Sequence, residues 1–260
     1  MITDDFRQTP YGVRFDWGLT GAAALAETSA CLVIVDVLSF TTAVSVAVHR
    51  GTRVFPYRWR DETAAGFAED KDAALAVGRR AATAAAPWSL SPAALRAAPR
   101  VGRLVLPSPN GSAIAAAARG VPVVAACLRN AGAVAGWLAG RGWGTAAAPV
   151  AVIAAGERWP DGTPRPAVED LLGAGAVIAA LGDGGPLSPE AAAARAAAAV
   201  VVDVAAAVRD CASGRELRAA GFADDVVIAT EVDACAHVPV LVDGAFTAAP
   251  GAGGGCADAR

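Results

Sequence analysis

The sequence predicts an α/β fold, a layered α/β/α arrangement around a parallel or mixed sheet. Three observations predict it. Short runs rich in valine, leucine and isoleucine recur along the chain, as in "CLVIVDVL", "RLVL", "VPVVAAC" and "APVAVIAA". Each passes through a short polar turn into an alanine-rich stretch with helical character. Strands so continuously apolar are expected where helices cover both faces of a sheet.

The elements follow in order. "CLVIVDVL" is a strand through about Asp36, and "SFTTAVSVAVHRG" a helix from about Thr41, with Gly51 near its end. "TRVFPYR" supplies the next short strand. "DETAAGFAEDKDAALAVGRRAATAAA" reads as helical up to the proline-bounded segment "PWSLSP", and "AALRAAP" is at most a short helix. In the second unit "RLVL" is the strand, "PSPNG" the turn, and Ser112 begins a helix. "VPVVAACLRNAGAVAGWLAG" repeats the arrangement. So does "APVAVIAAGERWPDGTPRPAVEDLLGAGAVIAAL", with a longer polar loop between strand and helix. "PEAAAARAAAAVVVDVAAAVRDC" reads as one helix and "SGRELRAAG" as another short one. "DDVVIATEVDACAHVPVLVDGAF" supplies two short edge or closing strands. No linker interrupts residues 20–247, so residues 1–247 are expected to form a single domain. The glycine-rich segment 248–260 is expected to be a flexible tail with no role for Cys256.

Composition narrows the function classes. A hydrophobic content of 55% with 18% charged residues argues against general disorder. The formal net charge is −3, without a basic patch or arm, which argues against nucleic acid as a partner. It leaves room for a phosphorylated anionic small molecule held by local amides and a metal. Five widely spaced cysteines suit reduced thiols better than a disulfide framework. The N-terminal "MITDDFRQTP" is acidic where a signal peptide needs a basic segment. Residues 31–48 are apolar enough to raise a membrane question, but they contain Asp36 and several hydroxyls. A cytoplasmic protein without membrane contact is expected, and a homodimer is left open as its assembly.

In a parallel α/β sheet, strand carboxyl ends and the following helix starts line one crevice, and free first-turn amides favour anions. Four loops are candidates: 36–42, 108–112, 128–131 and 156–170. Asp36 stands out, because a lone carboxylate at the end of "VIVD" is costly to bury without donors or a cation. Ser39, Thr41 and Thr42 either cap the next helix or donate to phosphate oxygens. In "SPNGS", Asn110–Gly111 favours a tight turn in which Ser108, Gly111 and Ser112 let a ligand approach the backbone; a plain helix-entry turn is the competing reading. The Lys-Ser/Thr pair of a Walker loop is missing. Arg129 and Asn130 precede another helix, as anion ligands or as an ordinary ion pair and cap. Glu157, Arg158, Arg165, Glu169 and Asp170 lie in or beside one loop. Glu169 and Asp170 are adjacent and point in different directions, so one could join Asp36 at a hard cation while the other serves the helix start. His49 is read as a helix-end residue and His237 as packing, with no compact Cys/His pattern to predict zinc. No cysteine is expected to act covalently.

The order of "VIVDVLSFTTA", "LPSPNGSAIA", "CLRNAGAVA", "VIAAGERWPDGTPRPAVEDLLGAGAVI" and "SGRELRAAGFADDVVIATEVDACAHVPVL" resembles the 2-phosphosulfolactate phosphatase, or ComB-like, family over about residues 30–242. The resemblance implies a ComB-like α/β fold and a Mg²⁺-dependent hydrolase that releases phosphate from 2-phosphosulfolactate. It carries over Asp36, Asn110, Gly111, Asn130, Glu169 and Asp170. Three departures stand out. The family's Asp-Val-Leu-Arg has Ser39 in place of its arginine, the "GER-G" region is represented by "AVGRRA", and a Gly-Asn-Ser-Pro segment has become "SLSP". The expected centre has Mg²⁺ on Asp36 with Glu169 or Asp170, and phosphate on amides near Gly111 and Asn130. Arg129 or Arg158 offsets charge, and Glu157 or Asp170 assists an attacking water. The competing reading is a non-catalytic binder of a phosphorylated acid.

Overall fold

The computed structural model describes residues 4–58, 61–118 and 120–250. Its strands are β1 (Val13–Trp17), β2 (Cys31–Val35), β3 (Arg53–Tyr57), β4 (Ala74–Leu75), β5 (Arg103–Pro107), β6 (Val123–Ala126), β7 (Val150–Ala154), β8 (Glu157–Arg158), β9 (Pro164–Arg165), β10 (Pro239–Val242) and β11 (Ala245–Ala248). The helices are α1 (Gly18–Ala26), α2 (Phe40–His49), α3 (Thr63–Asp70), α4 (Pro92–Ala97), α5 (Gly111–Ala117), α6 (Ala131–Ala139), α7 (Val168–Ala180), α8 (Pro189–Ala199), α9 (Val204–Asp210), α10 (Ala212–Ala219) and α11 (Ala223–Ala229).

β2 shows why the sheet is layered on both sides. All five of its residues are buried. Leu32 and Ile34 point into one apolar cluster with Phe40, Val44 and Ile114; Val33 and Val35 point into another with Val134, Leu172 and Val177. A strand alternates faces at every residue, so a strand apolar at every position needs cover on both. Helices α1, α2, α4 and α5 supply one layer, and α6, α7 and α8 the other.

Nine strands form one mixed sheet in the order β1-β7-β2-β6-β10-β11-β3-β5-β4, and β8 and β9 pair separately. β1, β7, β2 and β6 are mutually parallel, as are β3, β5 and β4. The hairpin β10–β11 joins the groups, antiparallel to β6 on one side and to β3 on the other. The two parallel groups therefore run in opposite senses. Twist accumulates at roughly 20–25° per strand pair, and five pairings separate β2 from β5 in the sheet order. The loop after β5 reaches the loop after β2, where Gly111 N donates to Asp36 Oδ2 at 2.9 Å.

Several expectations are corrected. The two C-terminal strands are central, not edge strands, and "ADDVVIA" before them is helix α11. Residues 61–86 do not form one helix. α3 ends at Asp70, β4 pairs with β5, and a short 3₁₀ turn covers Arg79–Ala81. The open edge of β5 offers hydrogen-bond partners that outweigh alanine's helix preference; Ala76 N donates to Val105 O at 2.9 Å. The long helix expected near 189–211 is two helices, α8 and α9, bent by 100°. Val200 to Val202 interrupt it, and Asp203 caps α9 through Ala206 N at 2.8 Å. β1 and α1, which no strand or helix expectation covered, complete one edge. The ordered chain passes residue 247: β11 reaches Ala248, and Ala249 is buried. Cys256 lies outside the described residues. Cys31, Cys127, Cys211 and Cys235 are free thiols. The apolar run 31–48 divides into a buried strand and a buried helix, and no single helix among the described residues is long and apolar enough to cross a membrane.

Candidate active site

Asp36 directly follows β2, where the apolar strand runs towards α2, and only 5% of it is exposed. Its Oδ1 accepts from Phe40 N at 3.0 Å and its Oδ2 from Gly111 N at 2.9 Å. The hydroxyls after it close the turn. Thr41 Oγ1 donates to Asp36 O at 2.8 Å and accepts from Asp36 N at 2.9 Å, while Thr42 Oγ1 donates to Val37 O at 2.8 Å. Both threonines are fully buried with their protons spent on backbone, which corrects the phosphate-binding expectation for Thr41 and Thr42. Ser39 differs: its Oγ accepts from Arg79 Nη2 at 2.5 Å.

The turn after β5 reaches the same point. A Cβ on Gly111 would lie 2.6 Å from Phe40 Cδ1 and 2.7 Å from Asp36 Oδ2, so only glycine brings this amide onto Asp36. Asn110 Nδ2 donates to Glu157 Oε2 at 2.9 Å. Ser108 and Ser112 serve the turn itself, and Ser108 Oγ accepts from Asn110 N at 3.4 Å. Ser112 Oγ bonds the carbonyls of Ser108 and Tyr57, and Ser108 N donates to Tyr57 O at 3.1 Å. Both are buried and fasten the turn after β5 to β3, in place of the phosphate contact expected of them.

The long loop after β7 brings the remaining acids. Asp170, in the first turn of α7, accepts from Val37 N at 2.7 Å and from Gly156 N at 2.9 Å, which clips the β2 and β7 ends together. Glu169 Oε2 accepts from Cys211 Sγ at 3.3 Å. The β8–β9 ribbon sets Glu157 opposite Arg165. Arg165 Nη2 donates to Ser213 Oγ at 3.3 Å, and Arg158 Nη1 to Gly162 O at 2.9 Å.

These carboxyls act on one another. Burial raises Asp36, and Glu169 adds to the rise against the Phe40 and Gly111 amides. Burial, then Asp36 and Glu169, hold Asp170 well above the usual carboxylate range. Burial and then Asp36 raise Glu157 to about 7, partly offset by the Asn110 hydrogen bond. Gathered acids of this kind retain protons unless a cation neutralises them. Thiol chemistry is disfavoured nearby, since burial pushes both Cys127 and Cys211 up to about 11.

Arg129 and Asn130 do not join this centre. Arg129 is buried and paired with Glu231, with Ile228 O as a further acceptor. Asn130 Oδ1 accepts from Cys127 N at 2.9 Å, and its Nδ2 faces the carbonyls of Ala125 and His237. Of the two readings open for them, anion ligand or ion pair and cap, the geometry matches the second: their polar atoms are consumed in the turn after β6.

Two clefts meet at Glu157, Arg158 and Arg165. One, of about 320 Å³, runs beside Trp17, Asn110 and Gly156. The other, of about 520 Å³, adds Arg79, Arg80 and Ser213. Arg79 and its support were missed as site residues. Asp225 is buried and holds Arg79 Nε at 3.0 Å, while its Oδ1 accepts from Ser91 Oγ at 2.5 Å and Ala93 N at 3.1 Å. The "AVGRRA" match pointed at Arg79; nothing in the local pattern of "ADDVV" singled out Asp225.

A family model described as 2-phosphosulpholactate phosphatase matches residues 21–244. The chain belongs to that family. The match spans the carboxyl cluster and every loop that forms it, and the nine-stranded α/β sheet is consistent with the ComB-like fold. At the level of reaction class, family membership supports a phosphatase, a hydrolase. No curated protein matches the chain.

Proposed function

We propose that this member of the family is a Mg²⁺-dependent phosphomonoester hydrolase acting on 2-phosphosulfolactate or a closely related small phosphorylated acid. The observation that carries the proposal is the junction at Glu157: the buried carboxyls of Asp36, Glu169 and Asp170 on one side and an arginine-lined cleft on the other. The donor set is all hard oxygen, buried and short of positive charge, which suits Mg²⁺. Asp36 with Glu169 or Asp170 would hold the ion. When bound, Mg²⁺ supplies Lewis-acid neutralisation of phosphate charge.

The chain's own residues do the rest. Arg79, Arg80, Arg158 and Arg165 border a cleft suited to a doubly anionic substrate. Arg79 brings a guanidinium to Ser39, the position where the family motif carries arginine, so charge lost at one residue is supplied from another element. Glu157, with a carboxyl poised near neutrality, takes the proton of an attacking water. The new phosphorus–oxygen bond forms as the ester bond breaks, and the released alkoxide takes a proton from solvent.

The test is phosphate release from the purified chain across small phosphorylated acids, the sulfonated one included, with and without Mg²⁺. Mg²⁺-dependent release that collapses in Asp36→Asn is expected. Ligand-induced thermal stabilisation without release, in either Mg²⁺ or Mn²⁺, would instead establish a binding protein.

A further inference from the structure

His49, Cys235 and His237 play no part in the chemistry above, yet they form a cluster of their own. His49 Nδ1 lies 3.2 Å from His237 Nδ1, and Cys235 Sγ lies 3.9 Å from each of those nitrogens. Among the described residues this is the one group of three or more His, Cys, Asp or Glu side chains whose donor atoms all lie within 4.8 Å of one another. Cys235 is buried and His49 exposed, so the cluster is anchored on one side and open to solvent on the other.

The triangle has the dimensions of a metal site. An ion placed in its plane at about 2.0–2.1 Å from both nitrogens falls about 2.2–2.4 Å from the sulfur, given separations of 3.2, 3.9 and 3.9 Å. Those are zinc–imidazole and zinc–thiolate bond lengths, and tetrahedral coordination with room for a fourth ligand needs the sulfur to close on the two nitrogens by only about 0.3 Å. The backbone around the ligands is fastened independently of any ion. Cys235 N donates to Arg129 O at 2.8 Å, Asp233 N to Leu128 O at 3.0 Å, and Asn130 Nδ2 approaches His237 O at 3.4 Å. The two imidazoles meet edge to face, ring centroids 5.0 Å apart and planes at 85°. Without an ion, one Nδ1 must carry a proton toward the other, which makes a plain imidazole pair the competing explanation.

We propose that His49, Cys235 and His237 bind a zinc ion, with a fourth position left for water. Two imidazoles and a thiolate are borderline-soft donors that select zinc over Mg²⁺ or Ca²⁺. The ion ties the segment carrying Cys235 and His237 to the end of α2, whose first turn holds Asp36. The assignment does not rest on the phosphatase reading.

The experiment uses the full chain, stripped with chelator and titrated with Co²⁺ as a spectroscopic probe. One equivalent should give a sulfur-to-cobalt charge-transfer band, which Zn²⁺ then abolishes. Asp36→Asn should keep the band, because carboxylates cannot produce it. Cys235→Ser should lose it, and His49→Gln should weaken Zn²⁺ affinity by about 100-fold or more, since even outer partners of a ligand are worth about 10–100-fold. His49 is exposed, so its variant serves if the buried Cys235→Ser chain fails to fold. The proposal is overturned if no band appears, or if the band survives in His49→Gln and Cys235→Ser. Retention of one equivalent of Cu⁺ while Zn²⁺ is washed away would overturn the choice of metal.

Discussion

Glu157 receives a hydrogen bond from Asn110 and stands where the two clefts meet, with its carboxyl raised to about 7 by burial and by Asp36. As a general base it works only when ionised, so kcat should rise with pH, with a midpoint below the metal-free value of about 7 because a cation on Asp36 offsets the charge that raises Glu157. Glu157→Gln removes the ionisable group and keeps the shape. The rising limb should vanish and kcat should fall by about 10²–10⁴-fold, read from a pH–rate profile. Gly111 acts through what it lacks. A methyl group there would press on both Phe40 and Asp36. Gly111→Ala should therefore cost about 1–3 kcal/mol in urea unfolding, the usual toll of overpacking, and should impair turnover by displacing Asp36.

Among the elements, the β10–β11 hairpin is decisive. It occupies the middle of the sheet and reconciles two parallel groups that run in opposite senses. Phe246 anchors it: fully buried, in register with Val54, and packed edge to face on Phe40 at 6.1 Å. Phe40 in turn gives its amide to Asp36. Phe246→Ala should lower unfolding free energy by about 3–5 kcal/mol, measured by denaturant titration, since truncation leaves a cavity at the seam. The α8–α9 break has a different origin, with consecutive valines and the Asp203 cap ending an alanine helix that composition alone would extend.

The whole molecule should register its carboxyl cluster in its stability. Asp36, Glu157 and Asp170 all bind protons more tightly folded than unfolded. Folding therefore takes up protons in this window, and stability falls as pH rises from near 4 through about 7. Glu231 works the opposite way, lowered first by its Arg96 hydrogen bond, but it loses its contribution only as pH falls below the carboxylate range. Metal-free chain should melt at a lower temperature at pH 8 than at pH 5. Mg²⁺ should restore much of the difference, because binding to the folded state alone adds about 2.7 kcal/mol at 100 times Kd. Thermal scans at both pH values, with chelator and with Mg²⁺, check this.

The chain's order of apolar runs and polar turns was sufficient to indicate the layered α/β class, β2, β5, β6 and β7, and Asp36 at a strand end, because burial on both faces is written into consecutive residues. Segment 61–86 shows where local pattern stops: alanine content pointed to helix, while the open edge of β5 drew part of it into a strand. Likewise "VPVL" reads as a strand anywhere, but only the assembled sheet places it between β6 and β11. Only tertiary structure could turn Thr41, Thr42, Ser108, Ser112, Arg129 and Asn130 from ligand candidates into braces, since hydroxyl, amide and guanidinium groups satisfy backbone, carboxylate or phosphate equally well. It alone joined Arg79 to Asp225 and Ser39, and His49 to Cys235 and His237. Residue identity determined what each side chain was able to bind, whereas its actual partner depended on which segments the fold brings together, from Ser39 and Arg79, 40 positions apart, to His49 and Cys235, 186 apart, which no local spacing encodes.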